Sequence, residues 1–286
     1  MKPYSVAYDR RGSGSPLVLL HGLGHRREAW RPVVGALAEH HDVVNVDLPG
    51  FGGSRTPAPG VRLDIPTLVD VVTSLCASLG LERPHVAGNS LGGALALELG
   101  ARGATASVTV FSPVGFSTPL ERAAPRLLLR GAGVAGRVPP HVRAAVADSQ
   151  PARALAKRVL RGGSSDGSGD TPRFDADALE AGSAFVRLAP EVLDYEFPAV
   201  DVPCPVTIGW GERDRVLPAR AARRALERIP HARHVSLPNC GHTPMAEAPE
   251  EVAAAILRTC GSLPEPHPAP TEQPEPGEDG SPSAAR

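Results

Sequence analysis

Short apolar runs alternate with longer amphipathic ones along most of this chain. Leu17-Val18-Leu19-Leu20 is a continuous apolar run of strand length, as expected for a strand covered on both faces. Residues 27–39 place Trp30, Val33, Val34 and Leu37 on one helical face. Residues 43–46 read as the next strand. Residues 65–79 carry apolar side chains at 65, 68, 69, 72, 75, 76 and 79, a helical period that stops at Gly80. A short strand at 85–87, a small-residue helix at 91–101 and a strand at 107–111 follow. Strands at 206–210 and 234–237 flank a helix at 218–229, and 249–259 is the last helix. Strands that alternate with helices predict an α/β fold, a mostly parallel sheet with helices on both faces.

The alternation breaks between residues 113 and 203. This segment holds no convincing strand, several arginine-rich helical stretches and a Gly/Ser break at 162–169. It reads as a helical cap inserted over the carboxyl edge of the sheet. The expected division is therefore a core of 1–112 and 204–261, a cap of 113–203 and a tail of 262–286. The tail has seven prolines and almost no large apolar side chains, too little to offset ordering entropy, so disorder is expected there.

Composition narrows the function classes. A net charge of −1 gives no electrostatic footprint for nucleic acid or an anionic membrane. No apolar run approaches the roughly 18 residues of a membrane span. The first residues, Met1-Lys2-Pro3-Tyr4-Ser5-Val6, lack a signal-peptide core. Cys76, Cys204, Cys240 and Cys260 form no Cys-x-x-Cys pair. Reduced thiols in a cytoplasmic protein are expected.

The chemistry centres on Gly88-Asn89-Ser90-Leu91-Gly92, with a strand leading in and a helix leading out. Such a turn must be sharp, and glycines two positions either side of the serine remove side chains that would strike neighbouring backbone. The Ser90 hydroxyl then projects above the sheet. Leu91 N–H lies at a helix start, where backbone donors are unpaired.

A serine hydroxyl needs a base. His242, in Asn239-Cys240-Gly241-His242-Thr243-Pro244, follows the last expected strand, where a loop can return over Ser90. The other histidines are at 21, 25, 40, 41, 85, 141, 231, 234 and 267, several of them flanking helices or strands where surface polarity suffices. The imidazole needs a carboxylate to fix its tautomer. Asp214, in the loop after strand 206–210, is the candidate, and Glu212 in the same loop is its competitor. The second oxyanion donor is expected from His21-Gly22-Leu23-Gly24, as Leu23 N–H beside Leu91 N–H. His21 is expected to brace that loop through its ring. Asp47, in Asp47-Leu48-Pro49-Gly50, is expected to hold a turn.

His21-Gly22 with Trp30, Asp47-Leu48-Pro49-Gly50-Phe51-Gly52-Gly53-Ser54, the serine elbow, Gly211-x-x-Asp214 and Gly241-His242 together resemble the α/β-hydrolase superfamily from about residue 4 to 260. The resemblance implies an eight-stranded, mostly parallel sheet with a helical cap after the sixth strand. It also implies a covalent acyl-enzyme mechanism on Ser90. Dehalogenases and epoxide hydrolases of that superfamily carry aspartate at the elbow, which is Ser90 here. Some members place the acid after the sixth strand, where Phe111-Ser112-Pro113 offers no carboxylate.

Other signals compete. Gly131-Ala132-Gly133-Val134-Ala135-Gly136 fits a dinucleotide fingerprint, without the preceding strand or the following acid that it requires. No metal motif and no Cys/His cluster appears along the chain, so neither cofactor nor metal is expected. Arg122, Arg126, Arg130, Arg137 and Arg143 either greet an anionic substrate or form a solvated face. The expected function is hydrolysis of a small or medium acyl ester, thioester or lactone, with a small-molecule acyl substrate and neither nucleic acid nor membrane as partner. Carbon–carbon bond hydrolysis, perhydrolysis and ligand sensing without turnover are the alternatives.

Overall fold

The computed structural model describes residues 4–123, 126, 149–161, 183–198 and 200–263. Seven strands form one sheet in the order β1 (Tyr8–Arg11), β3 (His41–Val46), β2 (Ser15–Leu20), β4 (His85–Asn89), β5 (Ser107–Phe111), β6 (Val206–Gly211) and β7 (Arg233–Leu237). Only β1 runs antiparallel, against β3. All other pairs are parallel. Helices α1 (Arg31–Ala38), α2 (Ile65–Ser78), α3 (Leu91–Ala101), α6 (Arg220–Arg228) and α7 (Pro249–Thr259) follow strands of the core, and α4 (Gln150–Leu160) and α5 (Ala184–Asp194) belong to the segment 113–203.

The apolar run at 17–20 explains the layering. Successive strand side chains point to opposite faces. Val18 and Leu20 join the core under α2, α3 and α6, whereas Leu17 and Leu19 join the core under α1 and α7. All four are fully buried, each removal from water being worth about 1.5–3 kcal/mol. Helix α3 is packed so closely that a Cβ on Gly100 would lie 2.8 Å from Val202 and 2.9 Å from Val108.

Several expectations need correction. The sheet has seven strands among the described residues, not eight. Strand β1 was not expected, because Tyr-Asp-Arg-Arg is exposed throughout and carries no apolar alternation. The helix expected at 27–39 is divided into a 3-10 turn, Arg27–Trp30, and α1. Pro32 causes this, since its ring tolerates only the first turn of a helix. Asp64 caps α2 by accepting from Thr67 N–H at 2.9 Å.

Both helices described within the segment 113–203 touch loops at the carboxyl end of the sheet. The Leu160 carbonyl, at the end of α4, accepts from His242 N–H at 2.8 Å. Arg187 of α5 donates to the Pro57 carbonyl at 2.7 Å, in the loop after β3. Arg122 pairs with Glu196 and Arg126 with Asp194, so their charges are met by carboxylates of this chain. The Gly131–136 motif, the Gly/Ser break at 162–169, Arg130, Arg137, Arg143 and the tail from 264 lie outside the described residues. No helix among the described residues is long and apolar enough to cross a membrane. The four cysteines are free thiols.

Candidate active site

Ser90 ends β4 and opens α3 with φ 55° and ψ −113°, a left-handed backbone that costs a non-glycine residue about 1–3 kcal/mol. The flanking glycines permit it. A Cβ on Gly88 would sit 2.1 Å from the Gly92 carbonyl oxygen, and one on Gly92 would sit 2.1 Å from the Leu20 carbonyl oxygen. Both contacts are with backbone and cannot be relieved by rotating a side chain. The turn is anchored by Ser90 N–H donating to the Phe111 carbonyl at 3.0 Å. Leu91 N–H is among the first donors of α3, which have no acceptor inside the helix.

Asp214 and His242 meet in a buried pair. His242 Nδ1 donates to Asp214 Oδ2 at 2.8 Å. Asp214 Oδ1 accepts from Val216 N–H and Leu217 N–H, each at 2.8 Å. Three donors therefore fix the carboxylate, and the pair fixes the imidazole tautomer with Nε2 free of its proton. Glu212, the competitor, is exposed and accepts instead from Ser236 Oγ at 2.8 Å. The loop is drawn in because Gly211 leaves no side chain. A Cβ there would lie 2.2 Å from the Gly241 carbonyl oxygen.

Asn89 joins this loop to the elbow. Its Nδ2 donates to the His242 carbonyl and to the Phe111 carbonyl, both at 3.0 Å. The motif Gly-Asn-Ser contained this residue, but no role was read for it. A buried amide next to the serine was the available signal.

The loop after β2 lies against the elbow. A Cβ on Gly22 would be 3.2 Å from Ser90 Cβ. This close approach sets the backbone of Gly22 against the serine. His21 braces the loop as expected. Its Nδ1 donates to the Gly22 carbonyl at 2.8 Å and its Nε2 accepts from Leu48 N–H at 3.0 Å. Burial pushes its pKa down to about 4, so the ring is neutral at pH 7. His25 is also buried, against the surface role read for several histidines, and burial pushes it down to about 3, with His21 and His242 acting in the same direction.

Asp47 holds the turn assigned to it. Its carboxylate accepts from Arg27 N–H at 2.7 Å and Gly53 N–H at 2.8 Å, and it forms an ion pair with the Arg27 guanidinium.

A serine on a strained strand–helix turn and a carboxylate-held imidazole thus lie on two loops at the carboxyl ends of parallel strands, joined through Asn89. The family model for the alpha/beta hydrolase family matches residues 17–255. The chain belongs to the alpha/beta hydrolase family. This chain is 28% identical over 246 residues to the dihydrolipoyllysine-residue acetyltransferase component of an acetoin cleaving system from Pseudomonas putida, an alignment of 85% of this chain and 63% of that protein. It is 43% identical over 96 residues to a pimeloyl-[acyl-carrier protein] methyl ester esterase from Aeromonas hydrophila, 33% of this chain and 35% of that enzyme. The chain thus spans under two thirds of the length of these curated relatives. Among solved structures it is similar to a membrane phospholipase A described as a bacterial virulence factor, with a TM-score of 0.72, 28% identity, and coverage of 90% of this chain and 83% of that one.

Proposed function

We propose that this hydrolase cleaves a small or medium acyl ester, thioester or lactone through an acyl-enzyme on Ser90. The observation that carries the reading is the backbone of Ser90, held at φ 55° where a strand turns into a helix. Strain of that kind persists where surrounding structure over-determines it, and it lifts a hydroxyl clear of the sheet.

The steps follow from the groups present. Ser90 Oγ attacks the substrate carbonyl carbon while His242 Nε2 takes its proton. The negative charge that develops on the carbonyl oxygen is met by Leu23 N–H and Leu91 N–H. Asp214 steadies the imidazolium through the Nδ1 bond. The tetrahedral centre collapses, and His242 returns the proton to the departing alcohol or thiol. Water, deprotonated by His242, then attacks the acyl-enzyme, and His242 returns that proton to Ser90 Oγ as the acyl–oxygen bond breaks and the acid leaves. Similarity to proteins named as an esterase and a phospholipase A supports the ester class.

The test is labelling with a fluorophosphonate, with and without Ser90→Ala, followed by a panel of p-nitrophenyl esters. Adduct on Ser90 with ester turnover is expected. Ser90→Ala or His242→Ala is expected to cost several powers of ten in turnover, as in other triads, roughly 10⁴ or more. A tenfold loss or less means other residues carry the reaction. Adduct without turnover of any ester would overturn the ester reading.

A further inference from the structure

We propose that His41, His85 and Cys260 form a zinc site at the amino-terminal edge of the sheet, the edge opposite Ser90. The ligand atoms of these three side chains all lie within 4.8 Å of one another. They come from the first residue of β3, the first residue of β4 and the residue that closes α7. The rings of His41 and His85 are in edge contact, with centroids 5.4 Å apart.

The hydrogen bonds prepare both imidazoles to act as ligands. His41 Nδ1 lies 2.9 Å from Ser15 Oγ and 3.1 Å from the Ser15 carbonyl oxygen. In the tautomer that donates from Nδ1 to that carbonyl, Nε2 has the lone pair. That Nε2 is 2.9 Å from Ser262 Oγ. His85 Nδ1 is 2.8 Å from Ser107 Oγ, whose own hydroxyl is directed at Cys260 Sγ at 4.0 Å. In this relay His85 donates from Nδ1 to Ser107, and Ser107 donates to the sulfur. His85 Nε2 is then also unprotonated. A ring N–H held by a carbonyl or hydroxyl is the outer-sphere arrangement that orients metal-bound histidines.

The donor set selects the metal. Two imidazoles and one thiolate suit zinc, which binds nitrogen at about 2.0–2.1 Å and sulfur at about 2.3 Å. Tetrahedral ligands at those lengths stand about 3.3–3.8 Å apart, so the cluster closes by about 1 Å on binding. Water or Ser262 Oγ supplies the fourth position. A cysteine binds zinc as the thiolate. Coordination breaks the S–H bond, forms the Zn–S bond and delivers one proton to solvent.

The consequence is structural. A bound ion ties the starts of two central strands to the last helix, across 219 residues of chain. His85 and Asn89 are opposite ends of β4, four residues or about 13 Å apart, so the ion leaves the Ser90 region untouched.

The experiment uses the untagged full chain. Equilibrium dialysis against zinc should give one ion per chain. Substitution by cobalt(II) should give a thiolate-to-cobalt charge-transfer band in the near ultraviolet. Cys260→Ser should abolish that band and weaken zinc binding by at least about tenfold, with fluorophosphonate labelling of Ser90 unchanged. His85→Gln gives the same test should Cys260→Ser fail to fold. Ser107→Ala should weaken zinc by about 10–100-fold, the usual cost of an outer-sphere partner. Zinc should raise the Tm of the wild type and not of Cys260→Ser. Absence of the cobalt band in the wild type, or its persistence in both Cys260→Ser and His85→Gln, overturns the proposal.

Discussion

Asn89 Nδ2 and the His242 carbonyl oxygen are joined by a 3.0 Å hydrogen bond across 153 residues of chain. The residue before the elbow serine thereby holds the loop that carries the imidazole. Two further bonds hold the same loop, from His242 N–H to the Leu160 carbonyl and from His242 Nδ1 to Asp214, both at 2.8 Å.

That bond makes a prediction. Asn89→Ala removes two buried hydrogen bonds and leaves the carbonyls of His242 and Phe111 without them. The expected cost is about 2–4 kcal/mol of stability, measured by urea unfolding. Turnover is expected to fall about 10²-fold, because the imidazole is displaced. An unchanged kcat on a p-nitrophenyl ester would show that the His242 loop is positioned by other contacts.

The two carboxylates of the loop after β6 should respond differently. Asp214→Asn should lower kcat by about 10⁴-fold while Tm changes little, since an amide there favours the wrong imidazole tautomer. Glu212→Gln, on the exposed side with Ser236, should change stability by no more than about 0.5 kcal/mol and leave turnover unaffected. Equal losses in the two variants would remove Asp214 from its assigned role.

Glycine positions separate crowding from helix propensity. Gly92→Ala drives a methyl to 2.1 Å from the Leu20 carbonyl oxygen, so the elbow must shift, at a cost of about 1–3 kcal/mol or more. Gly35, within α1, meets nothing within 4 Å of an added Cβ. Gly35→Ala should therefore stabilise the protein by about 0.5–1 kcal/mol. Thermal melts of the two variants check both signs.

Stability should decline on acidification from pH 6.5. His21 and His25 are pushed down to about 4 and about 3 by burial, while their unfolded counterparts titrate near 6.5. Between those values the unfolded chain binds more protons than the folded one, so falling pH favours unfolding. Each histidine should cost on the order of 2 kcal/mol between pH 6.5 and 5. Urea unfolding at pH 7 and pH 5 tests this, and His25→Asn should lose part of the difference. A stability independent of pH over that window would contradict the burial of both rings.

The alternation of apolar runs and amphipathic stretches was enough to read a sheet covered on both faces, because strand and helix periods are written within windows of a few residues. The elbow was equally legible. Gly88, Ser90 and Gly92 lie so close together that their spacing is itself the geometry. Strand β1 escaped notice because its exposed Tyr-Asp-Arg-Arg buries nothing and so leaves no apolar signature. Asp214 was already preferred over Glu212 from its place in the loop, but only tertiary structure paired it with His242, gave Asn89 its hold on that loop, and gathered His41, His85 and Cys260. Those relationships join residues from different strands and helices. They exist only after the parallel strands are in register and α7 is packed against them, and no local spacing encodes that.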